Sequence, residues 1–345
     1  MNQPIGLSPK PKHINPISAK RRQKQLTMEP QRVLIFSHPR SMCNVLFRLL
    51  STHPSFTPTV PGPLSFLTPS HLGPEFDNCQ PEPFCSDETF QDTFDKLQKS
   101  VKEIEKTGTI PLTMEHPYLI LPYTTLNEKA RYQRTYQPLI QVTEGEPALE
   151  HLPEKKNPTI FPDRFFFSIT SPIITIRHPA RMLPSYIRAM STFGLPLEAD
   201  SFLHDMEVQS RYCWERLIFD CFRVSGRDPI IVDGEKFLED TKGQMYKLCE
   251  ALGVDESKIE YTWDPTDDRK DGLYSHFPEP VLMAFIGILH GSKGVIGRQA
   301  QNERLDLDVE ERKWAEEWNE GLAGTIRELV TSSLEDYEYL LQFSI

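Results

Sequence analysis

The sequence predicts a three-layer α/β/α fold built around a mostly parallel sheet. Two segments support this, residues 32–53 and 171–190, because each runs from an apolar strand through a short polar turn into an amphipathic helix. A third apolar run leads into residue 116. Strands that alternate with helices pack as a mostly parallel sheet with helices on its faces. We therefore expect one α/β domain.

The first segment predicts a phosphate site between its strand, Val33 to Phe36, and its helix, which begins near Val45. The free N–H groups of a first helical turn and the positive end of the helix dipole attract anions. Arg40 adds a permanent cation, and the small donors are Ser41, Cys43 and Asn44. For this loop alone, an ordinary first strand and helix of an α/β domain explains the pattern equally well.

The second segment strengthens the prediction of an anion site. Arg177 stands at the carboxyl end of the strand Ile173 to Ile176. Ser185 follows eight residues later, about two helical turns along. Open α/β sheets bind ligands at the carboxyl ends of their strands. Two such ends, each with an arginine, can hold two phosphate groups of one nucleotide.

With these residues the chain resembles the sulfotransferase family, and most closely a divergent, fungal-type branch of P-loop proteins. The family's first loop holds the 5′-phosphosulfate of 3′-phosphoadenosine 5′-phosphosulfate (PAPS) and usually reads Pro-Lys/Arg-Ser-Gly-Ser/Thr-Ser/Thr. Pro39-Arg40-Ser41 matches it, whereas the stretch from Met42 to Asn44 departs from it. The family's 3′-phosphate site pairs an arginine at a strand end with a serine eight residues later, as do Arg177 and Ser185.

Later segments extend the resemblance over about residues 32–300. Residues 229–238 resemble a later family strand, and residues 242–253 resemble the leucine–cysteine–x–x–leucine–glycine stretch that follows it. Residues 292–298 resemble the Lys-Gly-x-x-Gly segment that closes over the nucleotide. The resemblance implies a P-loop NTPase-like fold, PAPS as co-substrate and no metal. It also implies a set of donor-binding residues: Arg40, Ser41, Met42, Cys43, Asn44, Arg177, Ser185, Lys293 and Gly294.

The candidate general base is His116, at the end of the β-run in residues 109–117. It matches the histidine of the family's Lys-x-His motif, which removes the proton of the acceptor; Arg40 is the second candidate catalytic residue. Met114 replaces the lysine of that motif, and Glu115 fits a Lys-Glu-His variant. The near-neutral pKa of imidazole suits a base. The structural alternative is a histidine with satisfied hydrogen bonds at a strand end.

Three departures from the family pattern carry expectations of their own. Met42 stands in place of a glycine, which predicts a backbone that avoids positive φ. Val45 stands where cytosolic members carry a tryptophan that stacks on adenine, so stacking must come from elsewhere. Cys43 lies at a helix N-terminus beside Arg40, which predicts a lowered thiol pKa and makes a nucleophilic cysteine a minor alternative.

Composition agrees with an enzyme-like domain. The chain has 345 residues, 38% of them apolar, and a net charge of −11, which argues against nucleic acid as a main partner. No Walker A string and no Gly-x-Gly-x-x-Gly after a predicted strand occurs, which argues against NTPase and dinucleotide chemistry. The six cysteines lack zinc-ligand spacing. The expected partner is a small-molecule acceptor, and the oligomeric state stays open.

The chain divides into a tail and one domain. Residues 1–29 are polar and basic and are predicted to be disordered, without the apolar core of a secretion signal. We therefore expect a cytoplasmic protein with no membrane partner, since no apolar run approaches the ~20 residues of a membrane span. Residues 30–345 form the domain. Its Pro-rich insertion at 57–85 is either an acceptor-binding loop or a surface excursion, and 141–163 read as an irregular loop.

Apolar spacing predicts the remaining helices. We expect an amphipathic helix over 87–106, one long buried helix over 206–223 and an apolar helix over 282–290. Two C-terminal helices are expected between 309 and 339, and a break is expected at Gly194.

The leading function is transfer of a sulfuryl group from PAPS to a hydroxyl of a small, largely apolar molecule, in secondary metabolite biosynthesis. One alternative is another reaction on the same fold in secondary metabolism. A second alternative is a non-catalytic nucleotide- or partner-binding protein. Met42, Asn44 and Met114 favour these alternatives, because a fold can keep a nucleotide site and change or lose its reaction.

Overall fold

The computed structural model describes residues 30–66, 89–130, 156–192, 194, 196–265, 274, 279–295 and 305–345. In this part of the chain a single sheet has the strand order β2-β3-β1-β4-β5. The strands are β1 (Val33–Ser37), β2 (Phe56–Pro58), β3 (Ile110–Glu115), β4 (Ser171–Ile176) and β5 (Ile230–Asp233). Each of the four pairings is parallel. The predicted α/β fold with a parallel sheet is confirmed.

The helices follow the strands in the expected alternation. They are α1 (Cys43–Thr52), α2 (Phe90–Thr107), α3 (Tyr123–Ala130), α4 (Asp163–Ser168), α5 (Pro179–Ser191), α6 (Asp200–Ser210), α7 (Cys213–Val224), α8 (Gly234–Glu239), α9 (Thr241–Leu252), α10 (Glu279–Gly291), α11 (Leu307–Glu317) and α12 (Glu320–Leu341). The tail at 1–29 and most of the predicted loops at 57–85 and 141–163 lie outside the described residues.

The core has two apolar layers, one on each face of the sheet. Because successive strand residues point to opposite faces, the central strand β1 contributes to both layers. Leu34 and Phe36 pack with side chains of α2, α4 and α7. Val33 and Ile35 pack with side chains of α1 and α9. This is the predicted three-layer arrangement, and it explains why β1 reads as an uninterrupted apolar run.

The prediction of one long helix over 206–223 is wrong. The chain leaves helical geometry at Arg211, whose φ of −85° and ψ of 122° are extended, and α6 and α7 are separate helices. The indole of Trp214 donates to the carbonyl of Val208 at 2.9 Å across the break. Phe202 and Met206 of α6 pack with side chains of α5 and α12, whereas the apolar side chains of α7 pack in the layer that contains Leu34 and Phe36.

The other helix predictions are confirmed. Helix α2 begins with a capping box at Thr89 and ends at Gly108, whose φ is 80°. Helix α5 ends before Gly194, which also has a positive φ. Helices α10, α11 and α12 lie where apolar spacing placed them. Within the described ranges, none of the helices has the length and apolar character needed to cross a bilayer.

Candidate active site

The carboxyl ends of four neighbouring strands lie at one edge of the sheet. In register, Phe36 is paired with Glu115, Ser37 with Thr175, and Ile176 with Asp233. The loop after β1, residue 116 after β3, residue 177 after β4 and the turn after β5 therefore meet there. This edge is where ligands bind in open α/β sheets.

The loop after β1 turns through left-handed backbone. Arg40 and Met42 have φ values of 58° and 69°. The expectation that Met42 avoids positive φ is therefore wrong. Met42 is the residue before α1, its carbonyl accepts from the Leu46 N–H at 3.1 Å, and its half-buried side chain packs on the apolar layer. These contacts offset the strain of a left-handed methionine, which is of order 1–2 kcal/mol.

The hydroxyl of Ser41 is engaged inside the same loop. It donates to the carbonyl of His38 at 2.5 Å and lies 2.6 Å from the hydroxyl of Thr175 on β4. Its side chain is buried. Ser41 thus fastens the turn to the sheet, while the predicted contact with a phosphate stays a prediction.

Arg40 reaches across the edge of the sheet to α5 and α10. Its Nε donates to the hydroxyl of Ser185 at 3.0 Å, and a terminal nitrogen donates to the carbonyl of Phe285 at 3.0 Å. Burial lowers the pKa of this guanidinium, and the nearby charge of Arg177 lowers it further. Arg40 and Ser185 are in direct contact, although the family resemblance assigns Arg40 to the 5′-phosphosulfate and Ser185 to the 3′-phosphate.

Arg177 completes the group and introduces an acidic partner. Its Nε donates to Glu235 Oε1 at 2.6 Å, and a terminal nitrogen donates to the carbonyl of Arg40 at 3.2 Å. The hydroxyl of Tyr212 holds its backbone, donating to the carbonyl at 2.5 Å and accepting from the N–H at 3.0 Å. We call Arg40, Arg177, Ser185 and Glu235 the arginine cluster.

The two remaining loop residues differ in role. Cys43 is buried, and burial raises the pKa of its thiol, although hydrogen bonds and the charge of Arg40 act in the opposite direction. The predicted lowering of this pKa is wrong, because loss of water outweighs the nearby cation. The side-chain oxygen of Asn44 accepts from the hydroxyl of Tyr274 at 3.1 Å.

His116 has the tautomer that a general base needs. Its Nδ1 lies 2.5 Å from the carbonyl oxygen and 2.9 Å from the hydroxyl oxygen of Ser37, and because a carbonyl can only accept, the shorter contact assigns the hydrogen to Nδ1. Nε2 therefore holds the lone pair. The ring is 7% exposed. Burial lowers the pKa of His116 to about 3, so it is neutral at pH 7.

The two residues before His116 lack a positive charge. Met114 is fully buried in the layer that contains α1. The carboxyl of Glu115 accepts from the backbone N–H and the hydroxyl of Ser65, both at 2.8 Å. Burial raises the pKa of Glu115 to about 8, so it is protonated at pH 7.

A buried histidine–glutamate pair joins the start of the loop after β1 to α7, and no local sequence pattern marks it. Nδ1 of His38 lies 2.8 Å from Glu215 Oε1, and each side chain is 1% exposed. The His38 ring stacks on Tyr212 with 3.9 Å between centroids. In the described part of the chain, Nε2 of His38 and Oε2 of Glu215 have no hydrogen-bond partner.

The segment expected to close over a nucleotide lies beside Trp263. The carbonyl of Lys293 accepts from the backbone N–H of Trp263 at 3.1 Å, and Gly294 forms an isolated antiparallel β-bridge with Thr262. Trp263 and Val45 pack against the same apolar cluster on α10. Trp263 is thus an aromatic side chain near Val45 that the sequence did not single out.

The donor set fits an anion rather than a metal ion. The guanidinium groups of Arg40 and Arg177 and the hydroxyl of Ser185 meet at one edge of the sheet. Among the residues with described positions, no group of three or more His, Cys, Asp and Glu side chains could hold a metal ion.

Comparison with known proteins shows that the chain is similar, over almost its whole length, to two sulfotransferases. The chain is 25% identical over 342 residues to sulfotransferase ppzF of Metarhizium majus (strain ARSEF 297), which covers 91% of this chain and 96% of the relative. It is 25% identical over 338 residues to sulfotransferase ppzF of Metarhizium rileyi (strain RCEF 4871), covering 90% and 95%. No protein-family model matches the chain.

A solved sulfotransferase from Alicyclobacillus acidocaldarius is also similar. It covers 77% of this chain and 98% of its own, with 12% identity and a TM-score of 0.36, a value too low to support a conclusion. Similarity to the two Metarhizium proteins extends over nine tenths of this chain. The chain is therefore a divergent sulfotransferase-like protein.

Proposed function

We propose that the protein transfers a sulfuryl group from PAPS to a hydroxyl of a small, largely apolar molecule in secondary metabolite biosynthesis. One observation carries this proposal. Arg40 and Arg177 meet at the same edge of the sheet at which His116 presents the tautomer of a general base. Full-length similarity to sulfotransferases supports the same reaction class.

In this proposal the two arginines bind different phosphate groups of the donor. Arg40 and the amides of the loop bind the 5′-phosphosulfate, while Arg177 and Ser185 bind the 3′-phosphate. Both guanidinium groups are partly withdrawn from water, where interactions with phosphate are stronger than at an open surface. Donors fixed in advance around the departing phosphate stabilise the charge that it gains in the transition state. Lys293 and Gly294 close over the nucleotide.

His116 removes the proton of the acceptor. PAPS, when bound, supplies the sulfuryl group, which the acceptor oxygen receives as its O–H proton passes to Nε2 of His116. The hydrogen bond from Nδ1 to Ser37 keeps the ring in this tautomer. A pKa of about 3 makes a weak base, but negative charge on a bound donor nearby would raise it.

The surroundings of His116 favour an apolar acceptor. The ring of Tyr118 stacks beside that of His116 with centroids 5.6 Å apart. The 3-10 turn Pro117–Leu119 is buried, and Ile120 and Leu121 after it belong to the apolar core, so the chain next to His116 is apolar. Apolar walls with a few fixed polar groups are typical of small-molecule sites.

A second candidate is a nucleotide-binding protein without sulfuryl-transfer activity. It is favoured by the burial of Met114 in the core, because the position of the family's lysine then supplies no cation to the reacting end. Glu115 does not replace that charge, since its carboxyl is neutral at pH 7.

Calorimetric titration with adenosine 3′,5′-bisphosphate, the product of PAPS after transfer, tests the nucleotide site. We expect micromolar binding by the wild type and loss of binding in Arg177→Ala. Arg312→Ala, at an exposed arginine on α11, is the matched control and should bind like the wild type. Absence of binding at millimolar nucleotide would overturn the proposed function.

Turnover of PAPS with a panel of phenols and alcohols separates the two candidates. We expect His116→Ala to bind the bisphosphate like the wild type but to turn over about 10²–10⁴-fold more slowly, the usual contribution of a general base. Binding without turnover by the wild type would favour the second candidate. Full activity of His116→Ala would remove this residue from the mechanism.

A further inference from the structure

The arginine cluster holds a carboxylate at the point assigned to a phosphate. Glu235 Oε1 lies 2.6 Å from Nε of Arg177, and the two side chains are 25% and 14% exposed. This pair is a close, charge-assisted hydrogen bond rather than an open surface contact. An anion that approaches Arg177 therefore meets an arginine that is already paired with a negatively charged group.

The backbone of Glu235 is held close to the loop. Glu235 lies in the first turn of α8, directly after β5, which pairs with β4 through Ile176 and Asp233. A Cβ added to Gly234 would lie only 2.9 Å from the carbonyl oxygen of Ser41. The turn after β5 thus lies directly against the loop, which holds the backbone of Glu235 close to Arg177.

The nearby acid Asp233 is turned to other partners. Its carboxyl accepts from the hydroxyl of Tyr337 at 3.0 Å and from the backbone N–H of Lys236 at 3.0 Å. It is buried, whereas Glu235 is partly open to solvent. Of these two acids, Glu235 is the one whose carboxylate faces Arg177.

A carboxylate on Arg177 interacts differently with two kinds of nucleotide. A 3′-phosphate placed on Arg177 must displace the carboxylate or lie beside a charge of the same sign, which is unfavourable. A 3′-hydroxyl in the same place carries no charge and can donate to a carboxylate, as ribose hydroxyls do in dinucleotide sites, where an arginine instead accommodates a phosphate. The pair of Arg177 and Glu235 combines both kinds of group.

We propose that Glu235 is the specificity-determining residue of the arginine cluster, competing with the 3′-phosphate for Arg177 and so limiting the preference for nucleotides that carry this phosphate. This inference rests on the proposed function in one respect, namely that Arg177 binds the 3′-phosphate. It adds a residue that the family resemblance did not assign.

Calorimetric titration with two nucleotides tests the inference. Adenosine 3′,5′-bisphosphate and adenosine 5′-monophosphate are each titrated into the wild type, Glu235→Gln, Arg177→Ala and the control Glu239→Gln, an exposed acid on the same helix. We expect Glu235→Gln to bind the bisphosphate about tenfold more tightly or better, because a like charge has been removed. Its affinity for the monophosphate should change by less than about twofold, and the control should match the wild type.

Each other outcome is decisive. If the wild type binds the bisphosphate and Glu235→Gln binds it equally or less tightly, the inference fails and the proposed function stands. An equal gain for both nucleotides also overturns the inference, since Glu235 then acts on the site as a whole. If neither the wild type nor Glu235→Gln binds either nucleotide at millimolar concentration, both proposals fail. Should circular dichroism show that Glu235→Gln is unfolded, Glu235→Ser replaces it with the same expectations.

Discussion

At the scale of single residues, the edge of the sheet combines permanent cations with one histidine and one acid whose protonation depends on burial. His116 is kept neutral by loss of water, and Glu115 next to it is kept protonated by the same cause. Perturbed titration of neighbouring groups in one place is typical of functional sites.

Glu115 allows a test of this description by pH. A carboxyl whose pKa rises from about 4.3 in the unfolded chain to about 8 in the fold binds a proton more tightly when folded. The wild type therefore loses stability as pH rises from about 4.3 to about 8, because the folded carboxyl stays protonated while the unfolded one ionises. In Glu115→Gln the amide oxygen can still accept from Ser65, but the side chain no longer ionises in this pH range.

We expect Glu115→Gln to gain free energy of unfolding relative to the wild type between pH 5 and pH 8, by about 2–4 kcal/mol. Urea unfolding at the two pH values measures this gain. Glu103→Gln, at an exposed position of α2, is the control and should show no such trend. An equal difference between Glu115→Gln and the wild type at both pH values would show that the carboxyl titrates normally.

At the scale of elements, the parts that could be predicted are those with local periodicity. Apolar runs predict strands β1 and β4, whose residues are almost all buried, and apolar residues at helical spacing predict α2, whose buried side chains lie on one face. The break between α6 and α7 could not be predicted in this way. Neither Arg211 nor Tyr212 is a helix breaker, and the break coincides with a contact between Tyr212 and Arg177, 35 residues away in sequence.

The same limit applies to the site. Arg40, Arg177 and Ser185 could be found because strand ends and family motifs mark them. Glu235 lies 58 residues from Arg177 in sequence, so no local pattern joins this pair. Met42 shows a related limit, since the prediction from a missing glycine ignored the packing that compensates for a left-handed backbone.

The break between α6 and α7 carries a prediction of its own, because it delivers the hydroxyl of Tyr212 to the backbone of Arg177. Tyr212→Phe keeps the ring that stacks on His38 and removes both hydrogen bonds to Arg177. We expect a loss of about 1–2 kcal/mol in the free energy of unfolding and weaker binding of adenosine 3′,5′-bisphosphate. Urea unfolding and calorimetry measure the two effects.

Tyr246→Phe, at an exposed tyrosine on α9, is the matched control for this change. It should leave stability and nucleotide affinity unaltered. If Tyr212→Phe lowered stability without any effect on nucleotide binding, the break would serve packing alone, and the position of Arg177 would not depend on it.

At the scale of the whole molecule, the arginine cluster is a local positive site on a chain with a net charge of −11. It also connects distant parts of the chain, since Arg40 reaches α5 and α10 while Arg177 reaches the turn into α8. A ligand that neutralises both arginines therefore holds several elements in place at once. Such a ligand should stabilise the fold as a unit.

Thermal unfolding with and without adenosine 3′,5′-bisphosphate measures this effect. At a ligand concentration of 100 times Kd, we expect about 2.7 kcal/mol of added stability and a rise in Tm of several degrees. His116→Ala should retain the rise, because this residue acts on the acceptor and not on the donor. Arg177→Ala should abolish it. An equal rise with inorganic sulfate at the same concentration would mean that the cluster binds any dianion, and that the adenosine and its second phosphate contribute nothing to recognition.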